Sequence, residues 1–591
     1  MNDFFLEPLS NVELIRNRNK IKEKYLPLAT NKIKLLILNG STVGELKEFI
    51  YLFLLQHGIE SEIFESTYNS YYEDVMFGSI IEDINPDWVY IHTTNKNIYH
   101  WPMPNMTDEE IDLLYSNEVD KIKNIYNRLE EKGVYTIVNN YEMPIERVYG
   151  NYDFVSNSGF CNYINKVNYF ISEELGKKEN IFINDIMYLS SLVGLNFWFN
   201  ESYWYSFKYA ISPAALPNVA KSIANIIKSV YGKSKKVLVC DLDNTLWGGV
   251  IGDDGKDGIL IGQGNGKAEA FLDVQKYIHR LKLRGVILAV NSKNDITLAK
   301  EGFNNTYSQL IVDDFSSFVA NWDMKSSNMK RIEEELNLFQ DSFVFIDDNP
   351  AEIEQVKSSC SFVSCISYEK SPHEILRKID RDGYFETVKL SKEDLIRTNL
   401  YSKNKKIKEL ENNASSFDDY LLSLNMKSLL SPLNKSNISR VEQLINKTNQ
   451  FNPTTMRVSS ADILDYMNNS TTISLVGSLQ DVYGDNGIVT SLVACVNKAI
   501  ANIDIWVMSC RVFNRELDFA LFDQFIVFCK ERNIEEVHAK YLKSSKNAYV
   551  QNLYERLGFI VIDAKEDSKI YVLNVSEYVS KNKAIEVNYE H

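Results

Sequence analysis

Apolar positions in this chain fall into short unbroken runs separated by longer stretches where they recur every three or four residues, the alternation expected of parallel strands joined by helices. Residues 32–39 (Lys-Ile-Lys-Leu-Leu-Ile-Leu-Asn) form the first run, which ends at Gly40-Ser41-Thr42 and leads into helical spacing over Val43–His57. Runs at Trp88–His92, Val134–Val138 and Ile181–Leu189 extend a parallel-sheet α/β domain over residues 1–225, with its last helix at Pro217–Tyr231. A second α/β unit spans 232–385, with strands at Lys235–Cys240, Val286–Val290, Leu310–Val312, Phe343–Ile346 and Phe362–Ile366. Residues 386–430, rich in Lys, Glu, Asn and Leu, predict a solvated helical linker. From 431 to 581 a helix, several strands (Thr472–Gly477, Asn486–Cys495, Ile503–Ser509) and alternating helices and strands predict a mixed α+β domain.

The length of 591 residues exceeds what one hydrophobic core supports, so a multidomain α/β protein is expected. A formal charge of −16 removes any general attraction to nucleic acid or anionic membrane, and no basic stripe reverses it locally. The seven cysteines are scattered, without a CxxC pair, which fits a reducing cytoplasm rather than zinc or a redox dithiol. Without a basic leader or an 18-residue apolar run, neither secretion nor membrane insertion is expected.

The candidate chemistry gathers in the second unit. An aspartate displaces a phosphoryl group when a metal ion and a cation neutralise charge and a second acid protonates the leaving oxygen. Asp241 follows the strand ending at Cys240, where ligands bind in open parallel sheets, and is read as the nucleophile. Asp243, two residues on, is read as general acid and then base; Thr245 and Ser292 offer hydroxyls to the phosphate, and Lys325 supplies the cation. The strand Phe343–Ile346 delivers Asp347 and Asp348, which with Asp241 and Asp243 make a set of hard oxygen ligands suited to Mg²⁺. This ordered set resembles the haloacid-dehalogenase (HAD) phosphoryl-transfer site. Only 46 residues lie between Thr245 and Ser292 and 32 between Ser292 and Lys325, too few for a cap domain, so the site is expected to be open and to need a neighbouring domain or a bulky partner to exclude water.

The longer run Asp241-Leu-Asp-Asn-Thr-Leu-Trp-Gly-Gly-Val-Ile-Gly-Asp-Asp-Gly255, with Ser292-Lys-Asn and Phe345-Ile-Asp-Asp-Asn-Pro-Ala-Glu352, resembles the FkbH-like family of HAD proteins, as do Asn446-Lys-Thr-Asn-Gln-Phe-Asn452, Tyr483-Gly-Asp-Asn-Gly-Ile488 and Ser509-Cys-Arg511. The resemblance implies removal of phosphate from 1,3-bisphosphoglycerate and loading of the glyceryl unit onto a holo acyl carrier protein for polyketide-type products. Some family members are expected to carry Cys before the serine, but here that position is Asn291. Cys240 should point to the opposite face of its strand from Asp241. Direct transfer to the carrier's phosphopantetheine thiol is therefore one route.

The third domain resembles a GCN5-related acetyltransferase (GNAT) fold through Asn547 to Phe559, with Tyr554 as a candidate acid for a departing thiolate. Its Arg511-Val-Phe-Asn-Arg-Glu516 lacks the glycines that bring backbone N–H groups to an acyl-CoA pyrophosphate, although Arg511 and Arg515 offer charge to a phosphate. The first domain resembles an SGNH hydrolase with Ser41 at the nucleophile's place, but Asn200-Glu-Ser-Tyr203 stands where such enzymes carry Asp-x-x-His, so it reads as structural or as a lid. His92 reads as a satisfied turn histidine and Gly262–Gly266 as a plain turn. Two other functions compete: a phosphatase of a small sugar or acid phosphate in a surface-polymer or secondary-metabolite pathway, and a non-enzymatic docking scaffold.

Overall fold

Four apolar runs in the N-terminal part, with the more polar Ile59–Glu65 that the reading of runs passed over, form the parallel strands β1 (Asn31–Asn39), β2 (Ile59–Glu65), β3 (Trp88–His92), β4 (Tyr135–Asn139) and β5 (Ile181–Asn184), ordered β2-β1-β3-β4-β5. The computed structural model describes residues 4–5, 7–369, 371–395, 397–398, 401, 416–544 and 546–590. It divides into two units, Met1–Tyr231 with Ser459–Ala461 and Gly232–Val458 with Asp462–His591. In the first, the buried strands β3 and β4 and the apolar face of the helix Leu216–Val230 (Val219, Ile223, Ile227) bury side chains worth roughly 1.5–3 kcal/mol each. The run read as a strand to Leu189 stops at Asn184, because the Asp185 carboxylate caps the Tyr188 N–H and starts the helix Ile186–Val193.

In the second unit, β6 (Val237–Cys240), β7 (Ile287–Ser292), β8 (Phe315–Ala320), β9 (Phe343–Ile346) and β10 (Ser364–Ile366) form a parallel sheet ordered β10-β9-β6-β7-β8. Strand β8 starts later than the expected Leu310–Val312, because the Asp314 carboxylate accepts the Ile311 N–H at 2.9 Å and closes a tight turn over Val312–Asp314. Val237 and Val239 pack into one side-chain layer, Leu238 and Cys240 into the other. The core thus fixes which way each strand end faces.

The same unit carries an eight-stranded mixed sheet of β11 (Met426–Ser431), β12 (Thr472–Asp481), β13 (Gly484–Asn497), β14 (Ile500–Met508), β15 (Glu536–Leu542), β16 (Ile560–Lys565), β17 (Ser568–Asn574) and β18 (Ile585–Tyr589), ordered β16-β17-β15-β14-β13-β12-β11-β18. This corrects the expected linker at its end: 426–431 alternates buried and exposed positions and pairs with β12 and β18. Much of the rest of that expectation, 402–415, lies outside the described residues. Strand β14 pairs with β15 only at Ile500–Asn502 before the two diverge. Phe451–Thr454 lies in the gap: Phe451 C=O accepts the Met508 N–H at 3.3 Å, Pro453 C=O accepts the Leu542 N–H at 2.8 Å, and the Thr454 hydroxyl donates to Asp504 C=O at 3.1 Å.

The eight-stranded part meets the β6–β10 sheet at the start of its strands. Lys546 pairs with Asp341, two residues before β9, and the Tyr401 hydroxyl lies 3.5 Å from Cys510 Sγ. Since Val237 is in register with Phe343 and Cys240 with Ile346, that contact and Asp241 lie at opposite ends of one sheet. Among the described residues no helix is long and apolar enough to cross a membrane.

Candidate active site

Parallel strands deliver their following residues to one edge, and this brings the carboxylates together. Asp241 N–H still reaches Ile346 C=O at 3.0 Å and Asp347 N–H reaches Ile366 C=O at 3.2 Å, so both leave the sheet side by side. Lys325, first residue of the helix Lys325–Leu336, places Nζ 2.9 Å from Asp241 Oδ1 and 2.6 Å from Asp347 Oδ2. All three side chains are buried. Burial pushes both carboxyls upward, the charge on Asp241 raises Asp347 further, and Lys325 pulls both back; burial opposes the charge on Lys325, but the two carboxylates outweigh it and raise its pKa. Asp348 is raised by burial and by Asp241.

Asp241, Asp347 and Asp348 each offer an oxygen within 4.8 Å of the others, a spacing and hardness that fit a divalent cation such as Mg²⁺. Asp243 is not of that group, which corrects its expected place among the ligands. Its Oδ1 accepts Trp247 Nε1–H at 2.8 Å and Ile251 N–H at 3.0 Å, and its Oδ2 accepts Asn294 Nδ2–H at 2.9 Å. The strand ends at Cys240 and Asn244 takes φ of 53°, so the alternation assumed from Asp241 to Asp243 does not continue. The turn is further held by Asn244 Oδ1 accepting the Gly249 N–H at 3.0 Å and by the Tyr368 hydroxyl donating to Asn244 C=O.

Thr245 Oγ1 is fully buried with no hydrogen-bonding partner, the state expected of a hydroxyl set to bind a phosphate oxygen. Ser292, the last residue of β7, is buried and hydrogen-bonds Asp241, helping to keep that carboxyl charged. Sequence reasoning missed Asn294, whose amide donates to both Asp243 Oδ2 at 2.9 Å and Ser292 Oγ at 3.3 Å. The signal lay in Asn291-Ser-Lys-Asn294, where only the serine was used. Asn291 acts elsewhere, donating to Lys325 C=O at 2.9 Å and accepting from Asn328 at 3.1 Å, which fixes the start of the lysine's helix. Neither segment between the motifs contains a cap domain: Ile296–Glu301 and β8 occupy much of the second, and the short kinked helix Ile251–Gly258 and the helix Gly266–Leu283 most of the first.

Several flanking candidates are not brought to this site. Cys240 is buried on the opposite layer, and burial followed by Asp241 pushes its thiol far up. Tyr554 is 1% exposed and its ring lies 5.2 Å from Phe559 and 5.1 Å from Tyr571, so its expected role as an acid toward a thiolate is corrected: the hydroxyl is sealed in the core. Arg515 is engaged by Asp481, whose other oxygen takes Tyr483 N–H at 2.8 Å; it ties a hairpin rather than a phosphate. Arg511 donates Nε–H to Ser509 Oγ at 3.1 Å, at the far end of the sheet from Asp241. Described by itself, the first unit holds Ser41 fully buried with its hydroxyl unpartnered. His92 accepts or donates at Nδ1 with Tyr90 at 2.9 Å, and burial lowers it to about 4. Its Nε2 is buried without a partner, so it is only half satisfied. Asn200 caps the helix Glu201–Phe207, leaving no Asp-x-x-His there.

The family model for the FkbH N-terminal domain matches residues 35–228. The N-terminal part of the protein BF1531 from Bacteroides fragilis, described as containing a phosphatase domain and complexed with Mg, is 31% identical, covers 63% of this chain and 98% of its own, and superposes with a TM-score of 0.58. The ribosomal-protein-S18-alanine N-acetyltransferase of Escherichia coli is 15% identical over 26% of this chain and 99% of its own, with a TM-score of 0.21, a likeness too slight to speak for acyl chemistry. No curated protein matches the chain.

Proposed function

The chain belongs to the FkbH-like family, and on that premise we propose that it is a Mg²⁺-dependent HAD-type phosphatase that dephosphorylates 1,3-bisphosphoglycerate and passes the glyceryl unit to a holo acyl carrier protein. The observation that carries the phosphatase part is the convergence of Asp241, Asp347, Asp348 and Lys325 beside the unpartnered Thr245 hydroxyl. Mg²⁺ held by the three carboxylates would neutralise charge on the phosphoryl oxygens.

Chemical balance decides which phosphate Asp241 attacks. Attack at the phosphorus of the acyl phosphate would release a free carboxylate, which has no leaving group and cannot acylate a thiol. The phosphomonoester is therefore the target: the Asp241 oxygen forms the new P–O bond, the bond to the sugar-acid oxygen breaks, and Asp243 gives that oxygen its proton. Asp243 then takes a proton from the water that cleaves the aspartyl phosphate, restoring Asp241 and freeing phosphate. The remaining acyl phosphate stays activated, and the carrier thiol's attack on its carbon expels the second phosphate. Thr245, Ser292 and Lys325 orient the phosphoryl group throughout, and Asn294 positions both Asp243 and Ser292.

Incubation with Mg²⁺, 1,3-bisphosphoglycerate and holo carrier should add a glyceryl mass to the carrier, read by mass spectrometry. Phosphate release with no modification of any carrier tested leaves only the phosphatase of a small phosphorylated acid or sugar. Asn294→Ala should lower kcat by about 10–100-fold with KM nearly unchanged, the scale of losing a supporting hydrogen bond behind a site. A change confined to KM would remove Asn294 from its positioning role.

A further inference from the structure

At the strand-start end of the β6–β10 sheet, where the eight-stranded part packs against it, lies a cavity of about 110 Å³. Six cationic side chains line it (Lys236, Arg397, Arg440, Lys447, Arg511, Lys546), against the carboxylates of Asp341 and Asp394. A chain of net charge −16 has no general reason to collect cations in one place. Like charges so gathered in a partly enclosed space repel, and proteins accept that arrangement where an anion offsets it. The repulsion is visible in Lys447: burial, reinforced by Arg397 and Arg440, holds it down to about 8 although Asp394 lies 3.3 Å away. Burial also lowers Lys236, with Arg397 and Lys546 adding to it. Leu338, Phe339, Leu444 and Phe513 supply an apolar wall, and Cys510, at intermediate exposure, borders the same space.

We propose that this cavity is a second anion site, which binds the phosphate end of a phosphorylated organic ligand whose body lies on the apolar wall. It cannot be the substrate's reacting phosphate. Lys236 and Asp241 are separated by the length of β6, roughly 16 Å at about 3.3 Å per residue, so a ligand here and a substrate at Asp241 bind without overlap. The cavity walls include Lys447–Gln450 and Ser509–Arg511, from motif stretches that the phosphoryl site leaves unused.

Cys510 reports occupancy. With the full chain, alkylation of Cys510 by N-ethylmaleimide, followed at peptide level, should slow by about tenfold when 4′-phosphopantothenate is present at about ten times its Kd. Cys495 serves as the internal control, and calorimetry measures binding of the same probes directly. Pantothenate without phosphate should neither bind nor protect. Protection by inorganic phosphate equal to that by the organic phosphate assigns the site to the free anion; stronger protection by the latter assigns the organic body as well. Lys236→Gln and Arg440→Gln should each weaken binding, and Asp241→Asn should leave it intact, which separates this site from the proposed reaction. Absence of binding by both 4′-phosphopantothenate and inorganic phosphate, or unchanged binding in the Lys236→Gln and Arg440→Gln proteins, overturns the proposal.

Discussion

Asp241→Asn lowers phosphate release by about 10⁴-fold, a loss of about 5.5 kcal/mol of transition-state stabilisation, while the protein stays folded. The expectation rests on three properties of the position. An amide nitrogen has no electron pair to offer phosphorus, and its oxygen is far weaker as a nucleophile than a carboxylate, so the aspartyl phosphate cannot form. The amide has the shape of the carboxyl it replaces, so the main-chain bond to Ile346 and the packing of β6 against β9 persist. Lys325 keeps its 2.6 Å contact with Asp347, and no buried cation is stranded. Steady-state phosphate release with Mg²⁺ saturating, beside a thermal melt, checks both halves. Retention of a tenth or more of the wild-type rate with an unchanged melt would remove Asp241 from the nucleophile's role.

The edge of the parallel sheet was legible in the sequence for a physical reason. Short apolar runs that are buried on both faces can only be central strands, and the residues that follow them must emerge at one edge; Asp241, Ser292 and Asp347 were found that way, and Lys325 by its place in the order of motifs. The misplacement of Asp243 came from extending strand alternation past Cys240, where the chain has already turned. Asn294 went unseen because an asparagine after a strand is an ordinary turn residue, and nothing local marks its bonds to Asp243 and Ser292. Strand β11 looked like a linker because an edge-side strand with alternating burial is short and polar in half its positions. Least legible was the packing of the eight-stranded part onto the strand starts, which depends on pairs such as Lys546 with Asp341, far apart in sequence. That placement changes the question of water exclusion, since within this unit the eight-stranded part lies away from Asp241 and covers a cationic cavity instead.

Lys325→Met should cost the metal-free protein about 3–5 kcal/mol of stability, the scale of leaving buried charge without its partner, and should abolish phosphate release. The lysine is the sole cation placed between Asp241 and Asp347 by the described contacts, and methionine keeps its length and its apolar stem without the charge. The two carboxylates, 8% and 0% exposed at their side chains, would then face each other across the gap. The sign of the pH dependence follows. Both groups are already raised in the folded state by burial, and loss of Lys325 raises them further. A carboxyl with a raised folded pKa favours the fold below its unfolded pKa, and that favour is lost as pH rises through the folded value. The variant's deficit should accordingly be small in mild acid and grow toward neutrality, whereas loss of a stabilising surface ion pair would give a deficit already complete by about pH 5. Added Mg²⁺ should recover part of the melting temperature at pH 7, because the ion replaces the missing positive charge among the three carboxylates, yet it should not restore turnover, because the phosphoryl group has lost the ammonium that orients it. Chemical denaturation at pH 5 and pH 7, with and without Mg²⁺, measures each part. A deficit that is equal at both pH values, or untouched by Mg²⁺, would mean that Lys325 serves packing rather than charge balance.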